Sequence, residues 1–93
     1  EVPQGCAGLV YARSGLACKR GLAPANKVGV VDSDYRGEIN VVLHNHGSAP
    51  QTIENGERVA QLLITPVFQP AYEIAEALTD TARNAGGFGS TGK

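Results

Sequence analysis

The chain is short of most features that would place it in a specialised class. Only two cysteines, Cys6 and Cys18, occur among 93 residues, and they form no C-x-x-C motif. That excludes a disulfide framework and makes a reduced, intracellular (cytoplasmic) setting the default expectation. Positive charge is not in excess, since the formal net charge is −1. No basic field argues for DNA, RNA or an anionic membrane as partner, so any cation that matters acts locally. Long apolar runs are missing as well: Val59 to Val67, among the greasiest stretches, is broken by Gln61 and is too short to span a membrane. No secretory leader and no internal repeat is legible. The opening Glu1-Val2-Pro3-Gln4-Gly5 has no methionine ahead of it and looks like a start in mid-pattern, a processed end or a piece of something longer. This length allows one domain, whose modest buried fraction is often supplemented by oligomerisation.

What is there is a series of short β-prone runs separated by turns. Leu9 to Ala12 reads as a strand running into Arg13-Ser14-Gly15-Leu16-Ala17, and Gly21 to Lys27 as a turn region. Val28 to Val31 is β-branched, Asp32 to Gly37 has turn chemistry, and Ile39 to His44 alternates as a strand does. Thr52-Ile53 reads as a short strand, Asn55-Gly56 as a hairpin signal, and Arg58 to Val67 as a longer strand. Tyr72 to Leu78 is the one stretch with helical spacing, with Ile74 and Leu78 on one face. Strands every 8 to 12 residues predict an all-β sandwich, barrel or jelly roll. Apolar content collapses after Leu78, which divides the chain into a β body, 1–78, and a flexible Gly-rich arm, 79–93.

Chemistry-bearing residues gather where an all-β body has its loops. In the arm, Arg83, Ser90 and Thr91 suit phosphate oxygens, and Phe88, set between glycines, offers a flat face to a base or sugar. A disordered terminus has the same composition. Arg13-Ser14-Gly15 puts a cation, a hydroxyl and an open backbone N–H together, which fits a phosphate grip or an ordinary turn. Asp32-Ser33-Asp34-Tyr35 offers a carboxylate able to orient and deprotonate a water, or a plain acidic hairpin turn. The D-x-D spacing lacks the other oxygen ligands of a calcium loop. Gly87 to Lys93 spells G-x-x-x-x-G-K, which is expected to be a chance match, since a phosphate loop wants a strand ahead of it and a Ser or Thr and a helix after the Lys. His44 and His46 share a strand face without a third metal ligand at useful spacing, and Cys18 beside Lys19 and Arg20 has no histidine near it in sequence.

Four of these stretches, taken in order, resemble the second to fifth motifs of the trimeric dUTP pyrophosphatases (dUTPases). They are Ala12-Arg13-Ser14-Gly15-Leu16-Ala17, then Val28 to Glu38, then Asn55 to Leu62, then Arg83 to Gly92. The resemblance covers nearly the whole chain. It implies a β jelly roll assembled as a homotrimer, with active sites between subunits and the C-terminal arm closing over one of them. It implies hydrolysis of dUTP to dUMP and pyrophosphate with magnesium held through substrate phosphates and water, which keeps uracil out of DNA and supplies a thymidylate precursor. By the same resemblance Asp32 activates the water that attacks the α-phosphorus, and Tyr35 lies under the deoxyribose. Asn26 and the backbone at Gly29 read the uracil edge. Arg13, Ser14, Gly15 and Gln61 grip the phosphates from the body. From the arm, Arg83, Ser90 and Thr91, beside Gly89, grip the γ-phosphate while Phe88 stacks over uracil.

Some positions depart from the family pattern. The first motif, an Ala-Gly-x-Asp segment whose Asp orients waters on magnesium, is expected ahead of Glu1. Ala12 stands for the usual Pro and Asn84 for a Gly after the arm's arginine, a mild change because Asn tolerates positive φ. The sister dCTP deaminases share the fold and the Arg-Ser turn, but use a Glu where this chain has Val42 and tend to carry Ser-Ser where it has Ser14-Gly15. A catalytically silent nucleotide- or partner-binding module on the same scaffold is the alternative of a different class.

Overall fold

The computed structural model describes residues 1–92. Six regular elements follow one another: β1 (Cys6–Tyr11), α1 (Ser14–Arg20), β2 (Leu22–Pro24), β3 (Gly29–Val31), β4 (Leu43–Asn45) and β5 (Gln61–Pro66). They form two antiparallel sheets, one ordered β3-β1-β5 and one pairing β2 with β4. The architecture is strand-dominated, as the alternation of β-prone runs and turns requires.

β1 is the organising strand. It pairs with β5 along its whole length, from Cys6 opposite Pro66 to Tyr11 opposite Gln61, and with β3 from Gly8 opposite Val31 to Val10 opposite Gly29. The core lies against it: Val2, Ala7, Val10, Leu16 and Leu22 are the buried hydrophobic side chains. β3 is an edge strand, so the side turned away from β1 presents unpaired backbone N–H and C=O groups.

The expected elements are partly redrawn. Arg13-Ser14-Gly15 is not an ordinary turn, because Ser14–Arg20 forms a helix. Leu16 to Arg20 contains no β-branched residue, Lys19 and Arg20 sit in the last turn where the helix dipole favours cations, and Gly21 ends it with φ 70°. The Gly21 N–H donates to Leu16 O, and a side chain at Gly21 would lie 2.8 Å from the Gly47 nitrogen. The helical expectation for Tyr72 to Leu78 fails: no regular element forms there, and Ile74 and Leu78 are almost fully exposed. Two apolar residues on one face do not make a helix when nothing packs against them.

The acidic loop also differs from a simple hairpin. β3 goes to β1 and β4 goes to β2, so the chain crosses between sheets as it passes through Asp32 to Gly37. The strand expected over Ile39 to His44 is reduced to Leu43–Asn45, and Val42 O instead accepts from Ala25 N at 2.7 Å. Asn55-Gly56 does turn the chain, with Gly56 at φ 84° and Glu57 N donating to Glu54 O at 3.1 Å. No strand forms at Thr52-Ile53, and β5 begins only at Gln61.

Much apolar surface stays open. The accessible area is 8068 Å², against about 5100 Å² for a compact protein of this mass. The radius of gyration is 18.7 Å, where about 12 Å is usual for this length. The excess comes largely from β5 and the stretch beyond it: Leu62 and Leu63 are half exposed, and Phe68 and Tyr72 almost wholly so.

Candidate functional site

Two clefts gather most of the chemistry-bearing residues of the body. The first, about 230 Å³, lies between the stretches 29–32 and 38–42 that flank the acidic loop. Val10, Pro24, Asn26, Gly29, Asp32 and Tyr35 contribute to its walls. The cleft exists because the flanking stretches take their backbone partners elsewhere, Gly29–Val31 on β1 and Val42 on Ala25. The free edge of β3 therefore faces into it.

Glycine shapes this cleft at two positions. A Cβ on Gly29 would meet the Asn26 amide nitrogen and Val10 Cβ, both at 3.3 Å, so a larger residue would push Asn26 off the wall. A Cβ on Gly37 would lie 2.6 Å from Tyr35 Cζ and 2.9 Å from Cε1. The Tyr35 ring thus folds down onto the Gly37 backbone, and its hydroxyl donates to Glu38 O at 2.7 Å. Tyr35 N donates to Asp32 O at 3.1 Å, which closes the turn and carries both side chains to the same cleft.

The second cleft, about 370 Å³, lies where the start of α1 meets the chain ahead of β5. Arg13, Ser14, Gly15 and Gln61 line it together with Arg20, Glu57 and Arg58. Three guanidinium groups against one carboxylate make it a local cationic patch on a chain of net charge −1. Gln61 Nε2 donates to Ala12 O at 2.8 Å, which ties β5 to the segment entering α1. Space around Gly15 is open, with no heavy atom within 4 Å of where a Cβ would stand. Glu57 is already committed. One of its oxygens pairs with Arg20 and the other accepts from Glu54 N at 2.9 Å. The Glu54 N–H first, and then the Arg20 guanidinium, hold its carboxyl below the usual carboxylate range.

Arg83, Phe88, Gly89, Ser90 and Thr91 line neither cleft. The arm makes its own turns instead: Arg83 Nε donates to Gly86 O at 2.5 Å, and Ser90 N to Gly87 O at 2.9 Å. Thr81 and Asn84 exchange bonds, each backbone N–H donating to the other's side-chain oxygen, at 2.7 and 2.9 Å. Asn84 takes φ 45°, the left-handed conformation that its side chain tolerates. Phe88 is fully exposed. Lys93, the last residue of the G-x-x-x-x-G-K stretch, lies outside the described residues.

Sequence reasoning assigned no role to several lining residues. Ile39, Asn40 and Val41 of the first cleft lie in a stretch that reads only as a strand, and Glu38 closes a family motif without a role of its own. Of the second, Arg20 reads only as a neighbour of Cys18, and Glu57 and Arg58 only as members of the Asn55 to Leu62 motif, although both follow the Asn-Gly turn just ahead of Gln61. His44 and His46 face each other with ring centroids 6.3 Å apart, and among the described residues no three His, Cys, Asp or Glu side chains cluster to hold a metal. No helix among these residues is long and apolar enough to cross a membrane.

The family model described as dUTPase matches residues 1–92. The deoxyuridine 5'-triphosphate nucleotidohydrolase of Desulfitobacterium hafniense (strain DSM 10664 / DCB-2) is 54% identical over 93 residues, covering 99% of this chain and 62% of that protein. The protein of the same name from Anaeromyxobacter sp. (strain Fw109-5) is 50% identical over 93 residues, covering 100% of this chain and 63% of that protein. The chain therefore spans a little over three fifths of the length of these curated relatives. Among solved structures, a mutant Staphylococcus bacteriophage 80alpha dUTPase with dUpNHpp superposes with a TM-score of 0.87 at 26% identity, covering 100% of this chain and 70% of that one. The bacteriophage 80alpha dUTPase with dUPNHPP gives 0.78 at 28% identity, again over 100% of this chain and 70% of that one. The motif order, the all-β fold and these matches agree: the chain belongs to the dUTPase family.

Proposed function

We propose that the protein hydrolyses dUTP to dUMP and pyrophosphate. The observation that carries this reading is the first cleft, where the Asp32 and Glu38 carboxylates, the Tyr35 ring and a free strand edge meet. Uracil presents acceptor, donor and acceptor along one edge. Backbone groups of the β3 edge at Gly29, with the Asn26 amide, supply matching partners. Cytosine reverses part of that order and leaves buried groups unpaired, which discriminates far more strongly than a missing methylene does. The narrow space between the two stretches excludes the thymine methyl. Tyr35 packs against the deoxyribose and leaves no space for a ribose 2′-OH.

The phosphates extend to the cationic second cleft, where Arg13, Ser14, Gly15 and Gln61 hold them. Asp32 accepts a proton from a water as the water oxygen bonds to the α-phosphorus. The bond from that phosphorus to the bridging oxygen breaks, and pyrophosphate leaves with the electron pair. A magnesium ion held by the substrate's own phosphates and waters would offset their charge. Residues 79–93 act as an arm that orders over the nucleotide, with Arg83, Ser90 and Thr91 on the γ-phosphate, Gly89 giving the backbone room, and Phe88 on the base.

Completing a site in this way needs more than one copy. The arm residues line neither cleft of their own chain, and Phe68, Tyr72 and Ile74 stay exposed at a cost that an isolated chain does not recover. A homotrimer, with each site at a subunit boundary, covers these side chains and brings a neighbour's arm to the clefts. Val42 on the cleft wall stands where a deaminase would carry its Glu, which argues against dCTP deamination.

The test is turnover of dUTP, dTTP, dCTP and UTP with magnesium, reading dUMP, pyrophosphate and ammonia. Selective conversion of dUTP without ammonia is expected. Ammonia from dCTP, tight dUTP binding without turnover, or equal rates on all four nucleotides would each overturn the reading.

A further inference from the structure

We propose that Arg20 is a positioning residue: it clamps α1 to the 51–57 loop and so fixes the phosphate-gripping cleft. The proposal rests on the dUTP-hydrolysis reading for what that cleft binds. Arg20 ends α1, and its three guanidinium nitrogens each reach a different acceptor on one loop. Nε donates to Gln51 Oε1 at 3.0 Å, Nη2 to Thr52 O at 2.5 Å, and Nη1 to Glu57 Oε1 in an ion pair. Glu57 passes the constraint on, because its other oxygen accepts from Glu54 N and its own N–H donates to Glu54 O across the Asn55-Gly56 turn.

The chain then runs through Arg58 to Gln61, whose amide bonds Ala12 O at the other end of the helix. The segment carrying Ser14 and Gly15 is therefore held at both ends by one stretch of chain far away in sequence. A helix of seven residues with Leu16 as its buried side chain does not hold its own position. The clamp supplies what packing does not. Lysine is no substitute, since its single ammonium is a point donor and cannot serve three acceptors spread around a fork. With all three nitrogens engaged, Arg20 acts on the phosphates through Ser14, Gly15 and Gln61 rather than by touching them.

The experiment compares wild-type protein with Arg20→Gln, Arg20→Lys, Glu57→Gln, the Arg20→Gln/Glu57→Gln double variant and the milder Gln51→Ala. The readouts are kcat and KM for dUTP, and affinities for deoxyuridine and for a non-hydrolysable α,β-imido analogue of dUTP. Loss of one charge-assisted hydrogen bond corresponds to roughly a tenfold effect. Each Arg20 and Glu57 single variant is expected to weaken imido-dUTP binding and raise KM by about that factor. The double variant is expected to be no worse than the worse single, Gln51→Ala to fall in between, and deoxyuridine affinity to stay unchanged. Weakening by Arg20→Gln but not by Glu57→Gln would mean that Arg20 touches phosphate directly and would overturn the proposal. So would rescue by lysine, unchanged binding in all variants, or equal loss of deoxyuridine affinity in Gln51→Ala. Absence of selective dUTP turnover in the wild-type protein would instead overturn the functional reading.

Discussion

Gly37→Ala tests whether the position of Tyr35 sets sugar selectivity. The new methyl would stand 2.6 Å from Tyr35 Cζ, whereas ordinary contact begins near 3.4 Å. The ring therefore moves by about 0.8 Å or more, since the atoms the methyl meets all belong to the end of the Tyr35 side chain, which swings away more readily than the Gly37 backbone shifts. The Tyr35 hydroxyl, now 2.7 Å from Glu38 O, loses that bond. At an exposed site the loss costs about 0.5–1 kcal/mol of stability, a shift of a few degrees in Tm. The effect on turnover is larger, because a misplacement near 1 Å can cost roughly a hundredfold in rate. Steady-state kinetics on dUTP and UTP is the assay. We expect kcat/KM for dUTP to fall by about tenfold to a hundredfold, and the preference for dUTP over UTP to shrink with it. Tyr35→Phe, which keeps the ring, should retain most of that preference. A Gly37→Ala protein with full activity and full preference would show that the ring's seat on Gly37 has no bearing on selectivity.

Three further outcomes follow from the same geometry. Asp32→Asn should keep dUTP affinity while kcat falls by about 10²–10⁴, the usual weight of a general base; unchanged turnover removes Asp32 from the chemistry. Truncation before Arg83 should abolish turnover with little change in melting temperature, since Arg83, Phe88 and Thr91 are exposed in the free chain; a truncated protein with full activity ends the closing-arm account. Glu57, held below its ordinary value of 4.5, contributes stability that is present in full above that value and is lost as pH falls through the lowered one. Arg20 is its charged partner, with Arg13 and Arg58 in the same cleft. Melting curves should therefore show an acid-side loss that Glu57→Gln makes shallower, and identical pH dependence in the two proteins refutes the assignment.

Local chemistry determined a good deal of this protein. β-branched runs, Gly-rich turns and the Asn55-Gly56 signal announced strands and their breaks, because these preferences act within a few residues. Asp32 and Tyr35 were legible as a pair because one turn carries both to the same side. Arg13, Ser14 and Gly15 were legible as a polar cluster, though not as the start of a helix: the signal lay downstream, in the unbranched residues up to Gly21.

Only the tertiary structure decided the rest. Sequence spacing says nothing about which sheet a strand joins. That β3 goes to β1 while β4 goes to β2 is what leaves a cleft in place of a closed hairpin. Arg20 and Glu57 lie far apart along the chain and meet only because the loop folds back over α1. The helical spacing of Ile74 and Leu78 came to nothing for the converse reason, as among the described residues no surface covers them. Propensity and turn chemistry are properties of neighbouring residues, whereas pairing partners and clamps depend on contacts that form only when distant segments come together.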